Sequence, residues 1–279
     1  MDNDSNNKTR KYLSPAVALK GLIIGGTMLV PGVSGGSMAI ILGIYDQLVS
    51  SVSSFMKSKR KNFFFLLVFG VSGLLGMFLF SKPLLQLIER YPMPMLYFFL
   101  GAVAGGVPLI VKQSQVKRVS LRGLFYVLLG LVIVLGLAMI PASGGQSSMD
   151  ADFKGIMFLA LAGFIAAVAL VLPGISVSYL LLVMGLYDEL MRAISQFYMP
   201  FLVPLGVGLI LGIILTTKIL EKAMTSYPQP TYLIILGFVL GSMGEVFPGI
   251  PSGTDIIICA VTLLAGFGCI MLLSYKESK

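Results

Sequence analysis

The 279-residue sequence contains no histidine, no tryptophan and only two cysteines. Without imidazole there is no phosphohistidine, no histidine general base and no histidine-ligated metal. Cys259 and Cys269 stand ten residues apart, about 15 Å of rise along one helix. They cannot bridge each other, and they offer neither a redox pair nor a zinc site. Charge is scarce too: 11% of residues are charged and 57% are hydrophobic, whereas a soluble domain carries about a quarter charged residues. A soluble globular chain is excluded on that balance. The net charge of +8 would suit a nucleic acid, but it sits at the ends of apolar runs and is assigned to membrane orientation. Neither a nucleic-acid partner nor a metal or other cofactor is expected.

Long apolar runs fill the rest. They cover 62–81, 94–111, 121–141, 199–217, 229–248 and 255–274, each near the ~20 residues that cross a ~30 Å hydrocarbon core. The expected fold class is an all-α polytopic membrane protein. Residues 1–12 are polar, end in a basic cluster and lack the apolar core of a signal peptide, so they are expected to be a cytosolic tail.

The chain also repeats itself. LVPGVSGGSMAIILGIYDQL at 29–48 and VLPGISVSYLLLVMGLYDEL at 171–190 align at an offset of 142, matching Pro31, Gly32, Ser34, Gly43, Tyr45 and Asp46 with Pro173, Gly174, Ser176, Gly185, Tyr187 and Asp188. Further on the offset becomes 136, matching Gly70, Gly76, Lys82, Gly101 and Gly105 with Gly206, Gly212, Lys218, Gly237 and Gly241. Ordered matches over such a length signal an internal repeat. The expected halves are 13–141 and 154–274, with a linker at 142–153 and a cytosolic tail at 275–279.

Basic residues orient the halves. With the N-terminus inside, the KSKRK cluster at 57–61 must also be inside, so residues 13–56 cross an even number of times. Three single spans then follow in each half, an odd displacement, and the second half is expected to be inverted. Sixteen of the twenty Lys and Arg then lie inside; only Lys82, Arg90, Lys154 and Arg192 do not, in keeping with the positive-inside rule. Parity alone admits either a re-entrant hairpin or two short crossings. The limbs before the breaks, 15–30 and 155–172, are short for full spans, and the re-entrant form is the one expected.

Pro31-Gly32 and Pro173-Gly174 end a helix in each half, because proline removes a backbone donor and clashes with the preceding turn. The freed backbone groups must be buried in protein or line a polar cavity. A helix starts at once after Ser34 or Ser176, and its N–H groups point back into the break, where an anion is welcome. Gly35, Gly36 and Ser37 allow close backbone approach in the first half, and Ser178 is a further hydroxyl candidate for the headgroup in the second. The plain reading is a pair of kinks copied by duplication. The functional reading is two helix starts converging on one phosphate-sized anion.

The charges near these elements carry two readings each. Asp46 and Asp188 fall fourteen residues after Gly32 and Gly174, about 20 Å along a continuous helix, at the interface as solvated or capping groups or else as gating groups. Arg192 pairs with Asp188 four residues earlier, or receives an anionic headgroup at the outer face; Lys20 is its rough inner-face analogue or a plain anchor. Glu245 has no acidic counterpart, since the repeat gives Leu109 there. An acid near membrane depth is a coupling candidate, unless it is simply exposed at the interface. Asp255 is expected at a helix start.

The block GGTMLVPGVSGGSMAIILGIYDQL, its PGIS…GLYDEL echo and the chain length resemble the bacterial polyprenyl-phosphate transporters of the PopT type. That resemblance implies outer-to-inner return of undecaprenyl phosphate in the bacterial cytoplasmic membrane, recycling the carrier lipid for peptidoglycan and other envelope polymers. The implied partner is the lipid, and no oligomeric state follows. Undecaprenyl-pyrophosphate phosphatases of the bacitracin-resistance type share an inverted repeat and a Pro-Gly-x-Ser segment, but there the segment continues into an arginine and works with paired glutamates. Here Gly35 follows Ser34 and Val177 follows Ser176, which leaves the serine without clamp or activation. A soluble-anion channel or symporter is the third reading, and no ring of pore charges speaks for it.

Overall fold

A computed structural model of the chain describes residues 15–28, 33–116, 120–141, 153–253 and 255–277. The expected tail 1–12, nearly all of the linker 142–153, and Pro31 and Gly32 lie outside these residues. Among the described residues the chain is α-helical without strands. The helices are α1 (Pro15–Thr27), α2 (Gly35–Ile41), α3 (Tyr45–Ser53), α4 (Lys59–Arg90), α5 (Pro92–Gln113) and α6 (Leu121–Ala138), then α7 (Phe153–Val171), α8 (Val177–Val183), α9 (Tyr187–Ser195), α10 (Met199–Ser226), α11 (Pro228–Val246) and α12 (Asp255–Glu277). A short 3-10 turn, Phe55–Ser58, leads into α4. The protein is a multi-pass membrane protein: six segments, Phe55–Arg90, Pro92–Gln113, Leu121–Ala138, Lys154–Val171, Met199–Ser226 and Asp255–Leu273, are long and apolar enough to cross a bilayer.

Two of the expected spans change rank. The run at 229–248 forms α11, but its polar start, Gln229 to Thr231, and Glu245 near its end dilute it, and it is not among the six. Instead α11 runs through the core, burying Leu233, Ile235, Leu236 and Val239. Conversely α7, expected as a short limb, has 19 residues, about 28 Å of rise, and is one of the six. Its counterpart α1 has only 13, about 20 Å.

The long helices pack as pairs: α1 with α4, α7 with α10, α5 with α12, and α6 with α11. Small residues let the backbones meet, as is usual where lipid supplies no hydrophobic drive between helices. A Cβ at Gly101 would stand 2.0 Å from the Leu263 carbonyl oxygen, and one at Gly237 2.2 Å from that of Val127. These two contacts are the same contact displaced by 136 residues, Gly101 to Gly237 and Val127 to Leu263. Gly130 against Ile234 and Gly266 against Phe98 recur at that offset as well. The helix pairs therefore exchange partners between halves: α5 of one packs on α12 of the other, and α11 on α6. One core cluster accordingly draws on Ile24, Ile40, Phe65, Val103, Val239 and Ile270 from both halves.

Candidate functional site

The two breaks meet. Ser34 caps α2 in extended conformation, and its hydroxyl oxygen accepts the Ser37 N–H at 3.4 Å. The same oxygen accepts the Gly174 N–H, also at 3.4 Å, across 140 residues of sequence. Gly36 lies directly against Pro173, where a Cβ would come within 3.1 Å of the proline Cα. The close approach that Gly36 permits is thus used by the other half of the protein. Gly35 is covered by Met28. Gly174 has φ +81° and presses on the Phe238 carbonyl, a conformation and a space that suit glycine alone. Pro173 is fully buried. The end of α7 is closed by Tyr45, whose buried hydroxyl donates to the Val171 carbonyl at 2.7 Å. That carbonyl belongs to the last turn and has no acceptor role within the helix. Ser37 is 2% exposed, and its hydroxyl has no partner among the described residues, an uncommon state for a buried polar group.

The limbs after the breaks are not continuous helices. Each stops after seven residues, at Ile41 and Val183. Gly43 (φ 65°) and Gly185 (φ 68°) take the left-handed conformation just past the end. The Gly43 N–H bonds to the Ile40 carbonyl and that of Ile44 to Ala39; Gly185 to Leu182 and Leu186 to Leu181 repeat the pattern. This is the Schellman arrangement, with an apolar residue following the glycine. It corrects the expected distance of about 20 Å from break to aspartate, because a new helix, α3 or α9, begins at Tyr45 or Tyr187.

That turn brings Asp46 to the wall of a cavity of about 690 Å³ between α1, α3, α4, α10 and α11. The Asp46 carboxylate accepts the Tyr232 hydroxyl at 2.8 Å. Lys20, Gln47, Ser50, Lys61, Asn62 and Glu221 also line it. Glu221 accepts from the hydroxyls of Ser53 and Ser54, tying α3 to α10. Ile44 forms part of the wall, so the cavity reaches to within one residue of the Tyr45–Val171 link.

The second half arranges its charges differently. Arg192 pairs with Glu189 at 3.5 Å, not with Asp188 as the four-residue spacing suggested. Asp188 is exposed while Glu189 faces inward and is buried, so the residue three positions back is the one within reach. Glu189 keeps one carboxylate oxygen buried and without a partner. Ser176 caps α8 through the Tyr179 N–H at 3.3 Å, and Ser178 is exposed. Glu245 is exposed at the end of α11. With Ser176 and Tyr179 it borders a cleft of about 10 Å³, too small for more than one water. Asp255 starts α12 as expected, and Cys259 and Cys269 are free.

The structure therefore gathers Ser34, Gly36, Ser37, Pro173 and Gly174 at one point, with Asp46 and Lys20 on the cavity beside it. It leaves Arg192, Asp188 and Ser178 elsewhere, while Glu245 shares its small cleft with Gly174 and Ser176. Sequence reasoning passed over Lys61, Asn62, Glu221, Tyr232 and Glu189. Glu221 and Tyr232 meet α3 across 168 and 186 residues of sequence, and no local pattern marks them. Glu189 had a signal, since its spacing to Arg192 also fits a helical pair.

A family model described as undecaprenyl phosphate translocase-like matches residues 24–256. A polyprenyl-phosphate transporter of Staphylococcus aureus is 34% identical over 256 residues, covering 88% of this chain and 90% of that protein. A polyprenyl-phosphate transporter of Vibrio cholerae is 29% identical over 261 residues, covering 86% and 79%. No solved structure matches.

Proposed function

The chain belongs to the undecaprenyl phosphate translocase-like family, and on that premise we propose that it carries polyprenyl phosphate across the bacterial cytoplasmic membrane. The lipid is undecaprenyl phosphate, returned from the outer to the inner leaflet for reuse. The two halves are inverted repeats, each with a hairpin that re-enters the bilayer at its break. They rock to expose one mid-membrane site to either side, and both termini face the cytosol. On that orientation the cavity lined by Asp46 and Lys20 opens inward.

The observation that carries this reading is the contact between the breaks, where Ser34 of one half accepts the Gly174 N–H of the other. A helix interrupted inside a bilayer leaves backbone groups that only protein, water or a ligand can satisfy. In the described arrangement the halves satisfy each other. When they rock apart, the Gly174 N–H loses its acceptor, and a phosphate oxygen is the natural replacement, to which the Ser34 O–H can also donate. Gly35, Gly36, Ser37, Ser176 and Ser178 complete the headgroup's surroundings. Ser37 already holds a buried hydroxyl in want of a partner. Arg192, exposed on α9, collects the headgroup at the outer face, and Asp46, Asp188 and Glu245 gate or couple the movement. The isoprenoid tail stays in lipid throughout, so the protein need shield only the charge.

The test is reconstitution into liposomes with an undecaprenyl phosphate whose headgroup reports its leaflet. Wild type is compared with the Ser34→Ala/Ser176→Ala double variant and with Arg192→Ala. Wild type is expected to move the lipid, the double variant to lose most movement while folded, and Arg192→Ala to slow uptake from the outer leaflet. A wild-type protein that moves no lipid, with or without an ion gradient, refutes the reading.

A further inference from the structure

We infer that the described arrangement is one of two, and that in the other α9 packs against α4 as α3 now packs against α10. The inference rests on the transport reading above. It starts from an inequality between matched residues. Ala39, Ile44 and Ser51 are buried, and so are their counterparts Leu181, Leu186 and Ala193. That face of the limb is covered in both halves. The neighbouring positions differ. Ile40 is 1% exposed and Leu182 41%; Val49 is 4% exposed and Met191 53%. Ile41, Leu42 and Tyr45 are buried, whereas Val183, Met184 and Tyr187 are only partly so. An apolar face that the first half hides is left bare in the second.

Bareness alone would mean only contact with lipid; the cover on the matched face is what names the missing partner. There α3 packs on α10, Glu221 of α10 accepts the hydroxyls of Ser53 and Ser54, and Ile41 fills the space beside Gly106 of α5. Shifted by the repeat, these contacts join Ser195 of α9 to Leu85 of α4, and Val183 of α8 to Ser242 of α11. Among the described residues α9 has no comparable packing on α4, and Ser195 and Leu85 are both exposed. The rest of the frame obeys the repeat: α1 on α4 matches α7 on α10, and α5 on α12 matches α11 on α6. A matched frame that carries one unmatched pair of limbs has a second arrangement of related geometry, in which the limbs exchange roles. Leu85, Met191 and Ile194 are apolar, so the second contact forms by close packing, without the polar ties of the first. On the transport reading, a headgroup reaches the breaks past whichever limb stands apart.

The experiment uses the full chain in liposomes, with Cys259→Ala and Cys269→Ala as background and a short bis-methanethiosulfonate as cross-linker. Ser195→Cys/Leu85→Cys reports the second arrangement, and both positions are exposed, so the fold tolerates the change. Ser53→Cys/Glu221→Cys reports the described one. Each pair should be joined within one molecule, and joining either should stop lipid movement until a reductant cleaves the link. Ser195→Cys/Phe78→Cys, two turns away along α4, should be joined no faster than background. Adding Glu221→Ala to the Ser195–Leu85 pair removes the ties of α3. It is expected to speed joining by about tenfold or more, the worth of a bond to a charged acceptor. A Ser195–Leu85 pair that stays unjoined, with or without Glu221→Ala, overturns the inference. So does a pair joined no faster than the Phe78 control. The leaflet assay separates the two readings. Lipid movement by wild type without joining at Ser195 and Leu85 sinks the exchange of limbs alone. Joining there in a protein that moves no lipid sinks the transport reading alone.

Discussion

Replacing Gly237 by alanine tests whether the glycine-mediated contacts hold the two halves together. Gly237 lies in α11, where an added Cβ would meet the Val127 carbonyl oxygen at 2.2 Å, the Leu131 nitrogen at 2.8 Å and the Gly130 Cα at 2.9 Å. All three are backbone atoms of α6, so no side chain can swing aside. Ordinary contact begins near 3.4 Å, and α11 and α6 would have to part by about 1.2 Å, the difference between that distance and the shortest contact. Overpacking of this kind costs about 1–3 kcal/mol, only partly offset by the ~1 kcal/mol that alanine gains over glycine in a helix. Parting the helices also loses dispersion along the seam, which lipid does not restore. The counterpart Gly101, with a Cβ 2.0 Å from the Leu263 carbonyl, should respond alike. Gly70 and Gly206, a matched pair with nothing within 4 Å of the added atom, serve as controls. Thermal unfolding followed by size-exclusion chromatography in one detergent should show Gly101→Ala and Gly237→Ala melting earlier, and Gly70→Ala and Gly206→Ala unchanged or slightly later. A Gly237→Ala protein as stable as Gly206→Ala would refute the packing argument.

Two hydrogen bonds give further expectations. Tyr232→Phe removes the donor to Asp46, a bond to a charged acceptor worth about 1.5–3 kcal/mol. A double-mutant cycle with Asp46→Ala should return a coupling of about 1 kcal/mol or more, and additive losses of thermal stability would contradict the link. Tyr45→Phe leaves the buried Val171 carbonyl without its partner, which costs about 1–3 kcal/mol; a variant that unfolds with wild type would show that another group takes over.

The fold class was legible because a bilayer demands long apolar helices, and no local subtlety alters that demand. The run at 229–248 forms a helix as expected, but apolar length did not tell a lipid-facing helix from a core helix, and α11 buries much of its surface in protein. The stop at Gly43 was readable in principle: a glycine after an apolar run, followed by Ile44, is the Schellman signal. It was read through because the residues on either side continue a helical pattern. Arg192 misled because three- and four-residue spacings compete, and burial of Glu189 settled the choice. The meeting of Ser34 with Gly174 was foreseen as convergence, but as convergence on an anion. In the described arrangement the halves touch each other instead. The cavity was not foreseen, since its walls come from five helices and its key bonds join residues more than 160 positions apart.

On the transport reading, the positions at which the two matched stretches of sequence differ matter as much as those at which they agree. A transporter whose halves were identical would hold its two exposures at equal energy, and any preference must come from residues that differ between them. Those differences cluster. Gln47 faces Glu189 in the alignment, Ser50 faces Arg192, and Lys20 faces Ala162. The hydroxyl–carboxylate links that tie α3 to α10 and α11 use Glu221 and Tyr232. Their counterparts Leu85 and Leu96 offer no such group, so equivalent ties for α9 cannot form. On the transport reading, the arrangement described here is favoured by bonds available at one end only, each worth about 1.5–3 kcal/mol where the acceptor is charged. Two such bonds bias a two-state equilibrium by a factor of about a hundred or more. On that reading the matched glycines would build a symmetric frame, and the unmatched charges would give it a preferred side.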